Sequence, residues 1–369
     1  MTTTTHVTSP QGTAPVTSTL DPSQTAAYAA RAMAAGSPSK HLASADVFAD
    51  EVPPLDESDL LTLPPLDARK LASDLPLGTR FRLRETITPV QYAFLQLNGC
   101  IVFARVASPE EVARVLDEVD QVEQKLLGEG IETICGVPVW FGTGADGKPF
   151  LQRMGFSSFH SEWLEAFVTD KRFEPIRRLI GEDARIGTRE KDGVVFNRYI
   201  NLPGSLRPDL AWHTDALRDV FYNREMPGPM LNVGLHFDRI RPADGGLRVI
   251  PRTHTQSALD TVFHKVHFVS NDDDPREIMI ETWPGDLTVH DGRMWHRVKG
   301  SPYDGARSLR RSMYVPYVVD GYQPKDAGTA TNAYMKVFDG IMKVRGAVAK
   351  RRQQARRRAV LQPGAPLVD

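Results

Sequence analysis

The chain has 369 residues, of which 41% are hydrophobic and 25% charged, with a formal net charge of −1. That size and balance fit one large globular domain with flanking arms, and the near-neutral charge argues against a molecule tuned as a whole for nucleic acid or an anionic bilayer. Cys100 and Cys135 are too few for a disulfide framework, no apolar run approaches the ~18 residues of a membrane span, and the Thr-rich start lacks the order of a signal peptide. A soluble, cytoplasmic protein without a membrane partner is the expectation.

Residues 1–50 are dominated by Thr, Ser, Ala, Pro and Gln, which bury too little to offset the cost of ordering, so this arm is expected to be disordered. Residues 51–87 read as a Pro-punctuated connector lying extended on the domain. A domain over 88–330 opens with "TPVQYAFLQLNG", a helix with a Thr-Pro start and an Asn-Gly stop, followed by the strand "CIVFARV". In "SPEEVARVLDEVDQVEQKLLGEG" Ser108 and Glu111 form a capping box with Pro109 in the first turn. A second helical zone, 161–181, is interrupted near Asp170. The segment 136–159 mixes Gly and aromatics with Lys148 and Arg153 and is expected to form a pocket wall or lid. Its mixed content suits a partly anionic organic substrate.

From Arg185 to Val319 short apolar or alternating runs are separated by Gly, Pro, Asn and Asp, as in "GVVFNRYI", "LNVGLHFD", "GGLRVIP" and "RRSMYVPYV". Many short strands with turn signals predict an antiparallel barrel or sandwich rather than βαβ units. Residues 331–369 read as a basic helical tail containing "KRRQQARRR", for which a solvated helix face is expected and nucleic-acid binding is not.

Chemistry concentrates in "AWHTDAL". On a strand, residues i and i+2 share a face, so His213 and Asp215 point together. His296, delivered by "PGDLTVHDGRMWH", is the candidate third ligand. Two imidazoles and one carboxylate on one face leave three octahedral positions open, which suits non-haem Fe(II). Further on, Arg310 and Ser312 share a face, and an arginine fork beside a hydroxyl can grip a carboxylate. Arg307 and Arg311 are its rivals, and Asn197 is a further candidate for the same co-substrate. Trp212, Arg218, His290 and Arg153 are candidate substrate contacts. For Trp212 packing is the first expectation, and for His290 a pocket wall rather than direct ligation. Asn201 could also reach the co-substrate; His236, His254, His264 and His267 are expected to be structural.

In order along the chain, "NGCIVFARVASPEEVARVLDEVD", "WHTD", "GGLRVIPRTH", "GDLTVHDGRMWH" and "RRSMY" resemble the phytanoyl-CoA dioxygenase group of Fe(II)/2-oxoglutarate oxygenases, over about 88–319. The resemblance implies a mainly β protein with a double-stranded β-helix (cupin-like jelly-roll) core flanked by helices. It implies Fe(II) on His213, Asp215 and His296, 2-oxoglutarate on Arg310 and Ser312, O2 as co-substrate, and ascorbate as an aid in vitro. The intact Asp215 carboxylate speaks against the halogenating branch. Hydroxylation of a small molecule, or of a CoA- or carrier-bound acyl or amino-acyl group, is the expected reaction, with succinate and CO2 released. The competing classes are a cupin-like hydrolase or isomerase using a redox-silent metal, and a non-catalytic binding protein on the same scaffold.

Overall fold

The computed structural model describes residues 45–57, 60–144, 146–217, 219, 229–319, 321–340 and 344. Most of the N-terminal arm, Arg218 and most of the tail, including its basic run, lie outside them. Among the described residues no helix is long and apolar enough to cross a membrane.

Eight strands, numbered here β1 to β8, form the central barrel: Val195–Tyr199, Leu210–His213, Met230–His236, Gly246–Val249, Ile278–Met279, Leu287–Asp291, His296–Lys299 and Arg310–Val318. They divide into two facing sheets. One runs β6-β3-β8-β1, and the other runs β5-β4-β7-β2. This alternation between sheets is a jelly roll, within the barrel-or-sandwich class that the strand spacing predicts and of the form that the family resemblance implies. The first sheet is widened on one side by Cys100–Phe103 and Arg80–Phe81, and on the other by Pro149–Met154 and Trp140–Thr143, with Arg185–Ile186 pairing β8.

The period-2 pattern in the larger sheet explains how a barrel can have an apolar core outside it and chemistry inside it. Leu231, Val233 and Leu235 of β3, Leu287 and Val289 of β6, and Met313, Val315 and Tyr317 of β8 belong to one buried cluster with the helices. Their neighbours Asn232, Gly234, His236, Thr288, His290, Ser312 and Tyr314 alternate with them and so face the interior. Each fully buried aliphatic side chain on the outer face contributes roughly 1.5–3 kcal/mol, which holds the sheet flat against the helical layer.

That layer contains α1 (Pro65–Asp74), α2 (Pro89–Asn98) and α3 (Pro109–Glu129). Thr88 and Gln91 cap α2 reciprocally, and Gly99, at φ 80, ends it in the left-handed conformation that turns the chain into Cys100–Phe103. Ser108 and Glu111 cap α3, which buries Val112, Val115, Leu116, Val119, Val122 and Leu126 at helical spacing. The zone after Ser161 breaks where expected: Glu162–Val168 is followed by a 3-10 turn, Lys171–Phe173. The connector differs from its expected extended form. α1 lies within it, because Pro65 suits a first helical turn and Ala68 and Ala72, four apart, dock into the main cluster.

Candidate metal centre and its cavity

His213 ends β2 and His296 starts β7, and the two are directly opposed in the antiparallel register. Their ring centroids are 4.1 Å apart, and His296 Nε2 is 3.9 Å from Asp215 Oδ2. One ligand atom from each of His213, Asp215 and His296 falls within 4.8 Å of the others, and all three residues are buried. Each imidazole is oriented by its own strand: His213 Nδ1 bonds the Ala211 carbonyl at 2.9 Å, and His296 Nδ1 bonds the Met294 carbonyl at 3.0 Å. With Nδ1 as donor, Nε2 carries the lone pair that a metal needs. Asn232 on β3 donates to Asp215 Oδ2 at 2.6 Å and fixes the carboxylate. This set of two neutral imidazoles and one carboxylate fits a non-haem iron.

A cavity of roughly 110 Å³, partly open to solvent, lies on these residues. Its wall beside the ligands includes Phe268, which stacks on His213 with centroids 4.6 Å apart, and His290, whose ring is 4.5 Å from His296. Neither ring nitrogen of His290 has a hydrogen-bond partner among the described residues, and burial holds its pKa well below the ordinary histidine value. It stays outside the ligating cluster, in keeping with a pocket wall. Tyr314 also lines the cavity. It fits only because residue 234 is glycine, since a Cβ there would overlap its ring. The outer wall comes from residues that sequence reasoning left elsewhere. Residues 333–340 are helical and bring Tyr334, Met335 and Phe338 onto the cavity, where Phe338 packs against both Trp140 and Phe268. Trp140 Nε1 donates to Asp339 and ties this helix down. The segment 136–159 does supply pocket wall, through Trp140 and Arg153.

The candidate anchors separate clearly. Arg307 is exposed in the turn Gly305–Ser308, its guanidinium 3.5 Å over the Tyr303 ring, and so stands away from the cavity. Arg311 points to the outer face of β8 and pairs with Asp238 at 2.7 Å. Arg310 and Ser312 are buried on the inner face, yet neither lines the cavity. Arg310 donates through Nε to Ser308 O at 3.1 Å, through Nη2 to Pro208 O at 2.7 Å, and through Nη1 to Lys299 O. Asn197 does line the cavity and faces Ser312 across the β1–β8 pair. Asn201 instead braces a loop through Ser301 O and Tyr303 O. Trp212 is fully buried against Ile250 and Trp295, with Nε1 on Asp272 O, so it packs the structure and does not line the cavity. Arg218 lies outside the described residues.

Arg207, between β1 and β2, went unnoticed in the sequence. It lines the cavity, with Nη1 on Asn197 Oδ1 and Nη2 on the Tyr199 hydroxyl, both at 3.1 Å. Its guanidinium carbon lies 4.9 Å from the Trp140 ring centroid and 5.1 Å from that of Tyr199. Burial pulls its pKa down to about 10. Arg153 lies beside the same tryptophan and pairs with Asp192 at 2.6 Å. The only available signal was a basic residue in the loop "NLPGSLRPD", which carries no spacing rule.

The phytanoyl-CoA dioxygenase (PhyH) family profile matches residues 95–301. The chain belongs to the phytanoyl-CoA dioxygenase family. Iron and 2-oxoglutarate are its cofactors, and the two-histidine, one-carboxylate cluster is a donor set suited to the metal. Solved structures with a similar course include EctD from S. alaskensis in its apoform, at 16% identity and TM-score 0.47, covering 68% of this chain and 83% of that one. AviO1 from Streptomyces viridochromogenes Tue57 has 15% identity and TM-score 0.44, covering 63% and 94%. The carbocyclase SnoK from nogalamycin biosynthesis, described as α-ketoglutarate dependent, has 18% identity and TM-score 0.46, covering 66% and 89%. No curated protein matches the chain in sequence.

Proposed function

We propose that the protein is a hydroxylase that inserts oxygen into an unactivated C–H bond of a small molecule, or of an acyl or amino-acyl group on CoA or a carrier, working in the cytoplasm. The observation that carries this reading is the buried cluster of His213, Asp215 and His296 opening on a cavity lined by apolar and cationic side chains. Iron with 2-oxoglutarate supplies the oxidising power: one O2 and one 2-oxo acid are consumed, one oxygen atom enters the substrate, and succinate and CO2 leave.

The chain's own residues do the rest. Nε2 of both histidines and an Asp215 oxygen would hold the metal, while Asn232 keeps that carboxylate from rotating away. The carboxylate at 215 would occupy the place that a halide needs on the metal, which favours hydroxylation over halogenation. Trp140, Phe268 and Phe338 form an apolar wall that excludes water and holds the substrate's carbon frame. Of the cations on the same cavity, Arg153 pairs with Asp192 and Lys191 with Asp219, both at 2.6 Å, while Arg207 has neutral partners and suits an acidic group on a ligand.

The test is purified protein with Fe(II), ascorbate, 2-oxoglutarate and O2, followed by a screen of cell extract for products gaining one oxygen atom. Slow succinate formation without substrate, and a product of added mass in extract, are expected. Succinate no higher than in a His213→Ala control would contradict the proposal, and a product two hydrogens lighter would replace hydroxylation with desaturation or ring closure.

A further inference from the structure

The cavity continues past the barrel onto the strands that extend the larger sheet. Arg153 lies on Pro149–Met154 and Trp140 on Trp140–Thr143, the two strands beyond β1, and both side chains line the cavity. Two guanidiniums sit by the Trp140 ring, Arg207 with its carbon 4.9 Å from the centroid and Arg153 at 5.2 Å. Arg153 is neutralised by Asp192, and Asp339 on the covering helix accepts from the Trp140 indole at 3.1 Å. Arg207 has two neutral partners, Asn197 and the Tyr199 hydroxyl, which use only part of a guanidinium's donor set, and its Nε is buried without a partner. A cation that is 3% exposed with an unfilled donor is costly unless an anion completes it.

This cationic spot is built in advance. Gln152, fully buried, accepts from Leu206 N at 2.6 Å and donates to Ser205 Oγ at 2.7 Å, so the loop that carries Arg207 is clamped to Pro149–Met154. A donor held in place loses little freedom when its ligand arrives. From it a row of aromatic rings leads to the metal cluster: Trp140 to Phe338 at 5.6 Å, Phe338 to Phe268 at 5.1 Å, and Phe268 to His213 at 4.6 Å between centroids. A buried cation at one end and an apolar strip running to the metal describe an amphiphilic acid, with its carboxylate on Arg207, its hydrocarbon along the rings, and a C–H remote from the acid group at the metal. An acyl thioester brings no carboxylate, because its carboxyl carbon is bonded to sulfur, and a guanidinium this deeply buried is out of reach of the phosphates of CoA.

We propose that the substrate is a free carboxylic acid with a medium-length apolar body, bound through Arg207, and not its CoA or carrier thioester. The assignment rests on the hydroxylase reading above and narrows it. Arg310 and Ser312 remain for the co-substrate, as the family resemblance implies.

Calorimetric titration of the full chain, held without O2 in the presence of Fe(II) and 2-oxoglutarate, tests it with octanoate, octanamide and octanoyl-CoA, while the visible charge-transfer band reports 2-oxoglutarate in the same samples. Octanoate is expected to bind one per chain, ~10- to 100-fold more tightly than octanamide, as for a hydrogen bond to a charged group, and more tightly than octanoyl-CoA. Arg207→Met should abolish the preference for the acid, leave octanamide binding as it was, and leave the 2-oxoglutarate concentration that half-saturates the band unchanged. If Arg207→Met does not fold, Arg207→Lys, which keeps the charge but loses the fork, should narrow the preference. Equal binding of octanoate and octanamide by the wild type, tighter binding of octanoyl-CoA, a preference kept in full by the Arg207 variants, or a loss of 2-oxoglutarate affinity matching that of octanoate overturns the assignment alone. A wild-type protein that forms no band with 2-oxoglutarate overturns the hydroxylase reading and the assignment with it.

Discussion

The two ends of the cavity are built on different principles. At the metal end, His213 and His296 face each other in register, each ring is tethered to a carbonyl two residues before it, and Asp215 follows His213 by two. Backbone geometry sets that end. At the far end, Arg207 comes from a loop and is held by side chains, two hydrogen bonds and two aromatic faces. Removing a metal ligand therefore leaves the scaffold nearly intact, whereas changing the cation end disturbs a small network in which each member supports the others.

The largest effect is expected from Asp215→Ala. Its loss of bound iron, measured by metal analysis after desalting, should exceed the ~10- to 100-fold penalty typical for removing a mere outer partner of a ligand. Retained stoichiometric iron would move the centre elsewhere. Asn232→Leu supplies that milder case: the Asp215 carboxylate loses its 2.6 Å donor, and iron affinity, measured by the same metal analysis, should fall ~10- to 100-fold.

A change in the helical layer should touch neither end. Glu111 caps α3 and forks Arg172 with contacts of 2.6 and 2.8 Å, both side chains buried. Glu111→Ala should cost about 3–5 kcal/mol, seen as a lowered denaturation midpoint. Iron and 2-oxoglutarate affinities of the folded fraction should be unchanged. A matching loss of iron affinity would mean that the outer layer sets the ligand geometry.

The metal end was legible because its information is local: the His213-x-Asp215 alternation needs only a strand, and the Ser108 and Glu111 capping box needs only a helix start. An antiparallel barrel or sandwich was legible from the rhythm of short runs and turns, and its jelly-roll form only from the family resemblance. What escaped reading depends on long-range packing. α1 hid among prolines because its burial rests on two alanines. The cavity wall from 333–340 was invisible because Phe338 meets Trp140 across almost the whole domain sequence. Arg307 and Arg311 could not be told from Arg310 by spacing, and only the turn Gly305–Ser308 and the outward face of β8 separate them. Arg207 had no pattern at all, since a loop residue is placed by what surrounds it.

The most direct measurement is anaerobic addition of Fe(II) and 2-oxoglutarate to the wild-type chain and to His296→Ala, monitored by visible absorption. A band saturating at one iron and one 2-oxoglutarate per chain, absent from His296→Ala, is the expected result. A wild-type protein without the band, or a variant that keeps it at full strength, would contradict an iron centre on His213, Asp215 and His296.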